Sequence, residues 1–188
     1  KTLRLVSNFR KKNNYTPIVL MGYFNPIYQI GTKKFFKLAK LSGVDGVLIV
    51  DLPPESSEDL YKNLKNSKID LIRLTTPTTD NNRMNKINKV SSGFLYYVSI
   101  TGITGSKINK LSEIKRNYIK LKKKTNLPFV IGFGINSPQK AKKIASFSDG
   151  VVIGSSIVKE IEDSIKNNRN VLNNVINLIN KYSKAIGN

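Results

Sequence analysis

A parallel sheet covered by helices is the fold class that this sequence predicts. Apolar, β-branched runs recur along the chain, amphipathic segments separate them, and no low-complexity linker interrupts the alternation. Strands that are nearly continuously apolar are strands covered on both faces, and that is the sheet of an α/β protein. The third observation is positional. Glycines cluster at the ends of the last three strands, not the first.

The chain opens on LRLVSNFRKK (3–12), which reads as a helix that no strand precedes. Strand candidates follow at PIVLMGY (17–23), GVLIVD (46–51), DLIRLTTP (70–77), FLYYVSI (94–100), PFVIGFG (128–134) and GVVIGS (150–155). Between them the 3.6-residue period predicts helices at 32–42, 56–66, 81–91, 109–125 and 137–147. A last helical region runs through SSIVKEIEDSI and NNVINLINKYSKAI and is interrupted near KNNRN. One domain over 1–188 is expected.

An open doubly wound sheet places its phosphate motif after the first strand, whereas a (β/α)8 TIM barrel commonly uses the loops after strands 7 and 8. Glycine-rich ends on the last strands therefore favour the barrel. Six strands are two short of eight. If the last two are strands 7 and 8, the segment 17–23 is strand 3, and strand 1, helix 1 and strand 2 are missing. An incomplete barrel exposes sheet edges, so instability of the isolated chain is expected.

Composition narrows the chemistry. The 188 residues contain no cysteine and no histidine, which excludes disulfides, thiol nucleophiles, histidine bases and the usual zinc sites. No metal is expected. Any acid–base work would fall to Asp, Glu, Lys or Tyr. The net charge of +20 is spread as lysine over presumed helix faces such as KKFFKLAK, with abundant asparagine beside it. That pattern reads as solvated surface from an AT-rich genome, so no nucleic-acid partner is expected. No run is long enough for a membrane span and no signal-peptide core is present, so a soluble, cytoplasmic protein without a membrane partner is expected.

Three strand-to-helix junctions carry the glycines: SITGITG (99–105), GFGINSP (132–138) and VIGSS (152–156). GFGINSP is an incomplete dinucleotide fingerprint, because Ser137 stands where a third glycine would be. Together the junctions suit a phosphate instead. Glycine lets backbone N–H groups approach an anion closely, and helix N-termini add favourable partial charge. Ser155 adds a hydroxyl donor, and Ser137 with Pro138 suits an N-cap and a first helical turn.

The segments LMGYFNPI (20–27), VLIVDLPPESS (47–57), FLYYVSITGITG (94–105), GFGINSP and DGVVIGSSIVK (149–159) resemble, in the same order, the tryptophan synthase alpha subunit family. DGVVIGS alone is common to several phosphate-binding barrels; MGYFNP, VDLPPE and SITGITG are specific. The resemblance implies a (β/α)8 barrel that cleaves indole-3-glycerol phosphate by a retro-aldol reaction. The products are indole and glyceraldehyde 3-phosphate. It also implies an alpha2–beta2 complex with a PLP-dependent beta subunit that receives the indole, and no cofactor in this subunit. On matching positions it implies phosphate binding by Gly105, Gly134, Gly154 and Ser155, with Tyr23, Tyr96 and Thr104 beside the substrate. Asn25, Pro26, Asp51 and Pro53 fall in segments that in the family face the beta subunit.

Cleavage needs protonation at indole C3 and removal of a hydroxyl proton, which calls for carboxylates. The family's two carboxylates match positions ahead of Lys1, so no catalytic residue is expected within the chain, which would then be inactive alone. Asp51 ends a strand but is expected to brace its loop. Two other readings compete: a non-catalytic module that activates a beta subunit, and another phosphate-binding barrel enzyme. A polyanion-binding protein rests on charge alone.

Overall fold

The computed structural model describes residues 1–55, 58–99, 111–132 and 134–187. They form two compact units, Lys1–Leu74 with Thr79–Leu95, and Thr75–Thr78 with Tyr96–Asn188. Both repeat one arrangement, parallel strands in chain order alternating with helices, which is the α/β half-barrel pattern expected of a TIM-barrel-like fold. No helix among the described residues is long and apolar enough to cross a membrane.

In the first unit, α1 (Thr2–Arg10), β1 (Val19–Gly22), α2 (Phe24–Ile30), α3 (Thr32–Ser42), β2 (Gly46–Ile49), α4 (Glu58–Ser67), β3 (Asp70–Thr75) and α5 (Asn81–Val90) follow in order. β1 pairs with β2 in parallel, Val19 opposite Gly46, and β2 pairs with β3, Gly46 opposite Asp70. Every residue of β2 is buried, as a strand covered on both faces must be. In α3, Phe35, Phe36 and Ala39 make the buried stripe, and the two rings meet edge-on at 5.4 Å. Gly43 ends α3 in the left-handed region, its N–H reaching the Ala39 and Lys40 carbonyls.

The helix α2 is absent from the pattern read along the sequence, where strand character ran to residue 23. The strand stops at Gly22, and Tyr23 sits in extended geometry as the N-cap of α2. Pro26 is tolerated because it falls in the first turn, where a helix lacks intrahelical N–H partners.

The second unit holds β4 (Leu95–Val98), α6 (Leu111–Lys122), β5 (Phe129–Gly132), α7 (Pro138–Ala145), β6 (Gly150–Val151), α8 (Ser155–Lys166) and α9 (Val171–Ile186). The expected break near KNNRN separates α8 from α9. β5 pairs with β6 in parallel, Val130 opposite Gly150. β6 is shorter than the expected 150–155. Val152 N–H still reaches the Ile131 carbonyl at 2.8 Å, but Gly154 already caps α8. An aromatic core fills the space beneath α6: Tyr118 stacks on Phe129 at 4.9 Å, and Tyr97 meets Phe129 edge-on.

One device recurs at the start of two strands, in the sequences DGVLI and DGVVI. Asp45, before β2, accepts the Ile18 N–H at 2.7 Å and pairs with Arg10 of α1. Asp149, before β6, accepts the Phe129 N–H at 2.7 Å and pairs with Lys122 of α6 at 2.6 Å. Burial pushes the Asp149 carboxyl up, but the Lys122 ammonium and the Phe129 N–H outweigh it and hold the group below its ordinary value. A depressed carboxyl stabilises the fold above its unfolded pKa, about 3.9 for aspartate, and that contribution disappears as pH falls through the folded value.

Replacement D149N should therefore lower stability at pH 6 by about 1 kcal/mol or less, since both partners remain in contact with water. The gap to the parent chain should narrow as pH falls toward 3. Urea unfolding at the two pH values reads this, and a gap of equal size at pH 3 would exclude the carboxylate as its source.

Candidate functional site

The carboxyl ends of the strands carry the residues singled out in the sequence. In the first unit, the Asp51 carboxylate accepts the Phe24 N–H at 2.7 Å. It thereby supplies, from a loop 27 residues away, the cap that Tyr23 does not give α2. A carboxylate at a helix N-terminus is also favoured by the helix dipole. Asp51 thereby holds the turn of helix containing Asn25 and Pro26. Tyr23 is exposed and borders an apolar groove of about 390 Å³ together with Gly22, Ile27, Ile30, Phe35 and Ile49.

Behind the Asp51 loop lies a residue that the sequence reading passed over. Arg73 in β3 is 4% exposed. Its guanidinium donates to the Leu52 carbonyl, to the Pro53 carbonyl at 3.3 Å and to the Tyr61 hydroxyl. The Tyr61 hydroxyl donates in turn to the Pro54 carbonyl at 3.0 Å, and the guanidinium lies 5.6 Å from the Tyr61 ring centroid. Farther along the same loop Lys86 pairs with Glu55 at 2.9 Å, which holds that carboxyl below its usual range. The available signal was a lone arginine in an apolar strand, LIRLTT.

In the second unit, Gly134 takes φ +70°, a conformation that suits glycine. Its carbonyl accepts from the Lys140 ammonium. Ser137 caps α7, accepting the Lys140 N–H at 3.2 Å, and Pro138 opens the helix. No side chain caps α8 from its N-cap Gly154, and of its first turn the Ile157 N–H turns back to the Gly154 carbonyl at 2.9 Å; an open helix start of this kind suits water or an anion. The two junctions meet: the Ser156 hydroxyl lies 3.4 Å from the Ile135 carbonyl and 2.7 Å from the Tyr182 hydroxyl. A cleft of about 410 Å³ there is lined by Asn136, Ser155, Lys159, Asp163 and Tyr182, among others. Gly105 and Thr104, and with them most of the SITGITG junction, lie outside the described residues.

Tyr96 is buried within β4, the hydroxyl end of its ring against Gly132. Burial raises its phenol pKa and pushes that of Tyr97 up to about 12. Both stay protonated at neutral pH, so neither is a base there. The Ser99 hydroxyl donates to the Gly132 carbonyl at 2.9 Å, which brings the end of β4 to the end of β5. Among the described residues no group of side chains could hold a metal ion.

The tryptophan synthase alpha chain family model matches residues 1–187. The tryptophan synthase alpha chain of Legionella pneumophila (strain Corby) is 41% identical over 186 residues, covering 99% of this chain and 68% of its own. The solved tryptophan synthase subunit alpha of Legionella pneumophila strain Paris superposes with a TM-score of 0.91 at 37% identity, over 98% of this chain and 68% of that one. A tryptophan synthase complex from Pyrococcus furiosus gives 0.82 at 30% identity, over 100% and 72%.

A Cβ on Gly132 would lie 1.9 Å from the Tyr96 hydroxyl, whereas one on Gly154 would meet nothing within 4 Å. G132A should therefore destabilise the fold by about 1–3 kcal/mol, the usual cost of overpacking. G154A should stay within about 0.5 kcal/mol of the parent. Chemical denaturation of the two variants side by side measures the contrast, and equal stabilities would contradict it.

Proposed function

The chain belongs to the tryptophan synthase alpha chain family, and on that premise we propose that it grips indole-3-glycerol phosphate at the start of α8 while presenting the β1–α2 and β2–α4 connections to a beta subunit. Membership makes it an alpha subunit of tryptophan biosynthesis, and the complete protein a lyase. The six strands are read as strands 3 to 8 of a (β/α)8 barrel. The reaction is retro-aldol cleavage to indole and glyceraldehyde 3-phosphate, carried out in the cytoplasm. PLP belongs to the beta subunit of an alpha2–beta2 complex, and this subunit brings no cofactor.

One observation carries the substrate half of the reading. The uncapped N-terminus of α8 stands where the turn after β5 meets it, through Ser156 and Ile135. Gly154, Ser155, Gly134 and Gly105 are assigned to the phosphate by their N–H groups and the Ser155 hydroxyl. Tyr96 and Thr104 are assigned to the middle of the substrate, and Tyr23 with its apolar groove to the indole end. Holding the phosphate by fixed backbone dipoles positions the scissile bond without adding a titrating group to the site. Proton transfer is left to carboxylates outside these residues. Asp51 is not offered for it, because its oxygen is committed to Phe24 N–H.

The partner half rests on Asp51, Asn25, Pro26 and Pro53 sharing one braced surface in the first unit. The same brace favours a second reading, in which the chain activates a beta subunit without cleaving substrate. That second reading requires stimulation of indole condensation by the 188 residues alone, and absence of stimulation would sink it.

Isothermal titration with indole-3-glycerol phosphate and with inorganic phosphate tests the site. S155A should weaken both by on the order of tenfold, the worth of one hydrogen bond to a charged group. G154A should weaken both while leaving the fold intact. Unchanged affinity in both variants would move the phosphate elsewhere.

A further inference from the structure

The buried guanidinium of Arg73 stands at the root of both segments assigned to the partner. It binds the carbonyls of Leu52 and Pro53 from beneath. Tyr61, itself bonded to the Pro54 carbonyl, closes the far side. These bonds fix the backbone immediately after Asp51, and Asp51 in turn holds the Phe24 N–H and thus the first turn of α2, with Asn25 and Pro26. One continuous chain of hydrogen bonds therefore runs from β3 through the loop to α2. All of it lies in the first unit.

We propose that Arg73 is a positioning residue for the beta-subunit interface, with Tyr61 as its clamp: it organises the Asp51 loop and, through Asp51, the α2 turn before the partner arrives. The proposal rests on the reading that these two segments face a beta subunit. Chemistry favours arginine for this work. A planar fork reaches two carbonyls and a hydroxyl at once, which a lysine ammonium on a flexible stem does not. No carboxylate among the described residues pairs with it, its Nε–H has no partner there, and burial lowers its pKa. A charge kept in the interior at that cost, for two loop carbonyls and the Tyr61 hydroxyl, fits a role in shaping the loop, because replacing such a group by an apolar one is often neutral or stabilising. Preorganising an interface saves the ordering cost that binding would otherwise carry.

The test titrates the cognate tryptophan synthase beta subunit with the parent chain, R73L, R73K and Y61F, reading both half-saturation and plateau of indole condensation. Phosphate affinity and amide exchange at Phe24 are measured in parallel. R73L should raise the half-saturating concentration on the order of tenfold, leave plateau and phosphate affinity in place, and speed exchange at Phe24. R73K should recover part of the loss. Y61F, which keeps the guanidinium and the apolar ring, should move in the same direction by less, and it remains informative if R73L does not fold. Parent-like half-saturation in R73L or, failing its folding, in Y61F would overturn the proposal, as would a loss of phosphate affinity as large as the loss of partner affinity. A parent chain that never engages the beta subunit while Phe24 exchange still responds to R73L would remove the partner reading itself, and this role with it.

Discussion

Parallel strands have no tight turn to set their register, because each is joined to the next by a long crossover. In this fold the register is held by carboxylates placed just before a strand. Asp45 takes the N–H of Ile18 ahead of β1, and Asp149 takes the N–H of Phe129 at the start of β5. Each is anchored by a cation from the helix that precedes the strand it holds, Arg10 or Lys122. A slip of one residue would turn every side chain to the opposite face, so the carboxyl ends where the site lies inherit their alignment from these latches at the other end.

The strand and helix alternation was legible because burial on both faces leaves an unmistakable apolar run, as in Val47, Leu48 and Ile49. What the sequence could not reveal were elements whose stabilising partner lies far along the chain. The segment Phe24–Ile30 lacks a local cap and carries a proline, so it reads as a strand end and loop. Its cap is Asp51, 27 residues on. Arg73 was invisible for the same reason: its partners are main-chain carbonyls of another loop, and a carbonyl has no sequence signature. The junctions were legible as a pattern of glycines, but which helix start carries a side-chain cap was not.

That distinction changes the weight of the motifs. GFGINSP holds a serine that satisfies its own helix, so the start of α7 is occupied by Ser137. VIGSS holds two serines but neither stands at the N-cap of α8; the second turns to the Ile135 carbonyl and Tyr182. Of the two described helix starts, α8 is the one the chain leaves unsatisfied by its own side chains. An anion there would meet the positive end of a 12-residue helix.

The three glycines of these two junctions look alike in sequence and differ in physical reason. Gly132 is required by packing, since Tyr96 occupies the place of its Cβ. Gly134 is required by its backbone, at φ +70°. Gly154 differs from both: at φ −123° and ψ −76° it caps α8, and a Cβ there would stand in open space. The backbone of Gly154 is therefore open to approach from outside the chain. Close approach by a phosphate is the demand that a cradle of backbone N–H groups makes. The open face of Gly154 is thus the feature on which the proposed phosphate site rests.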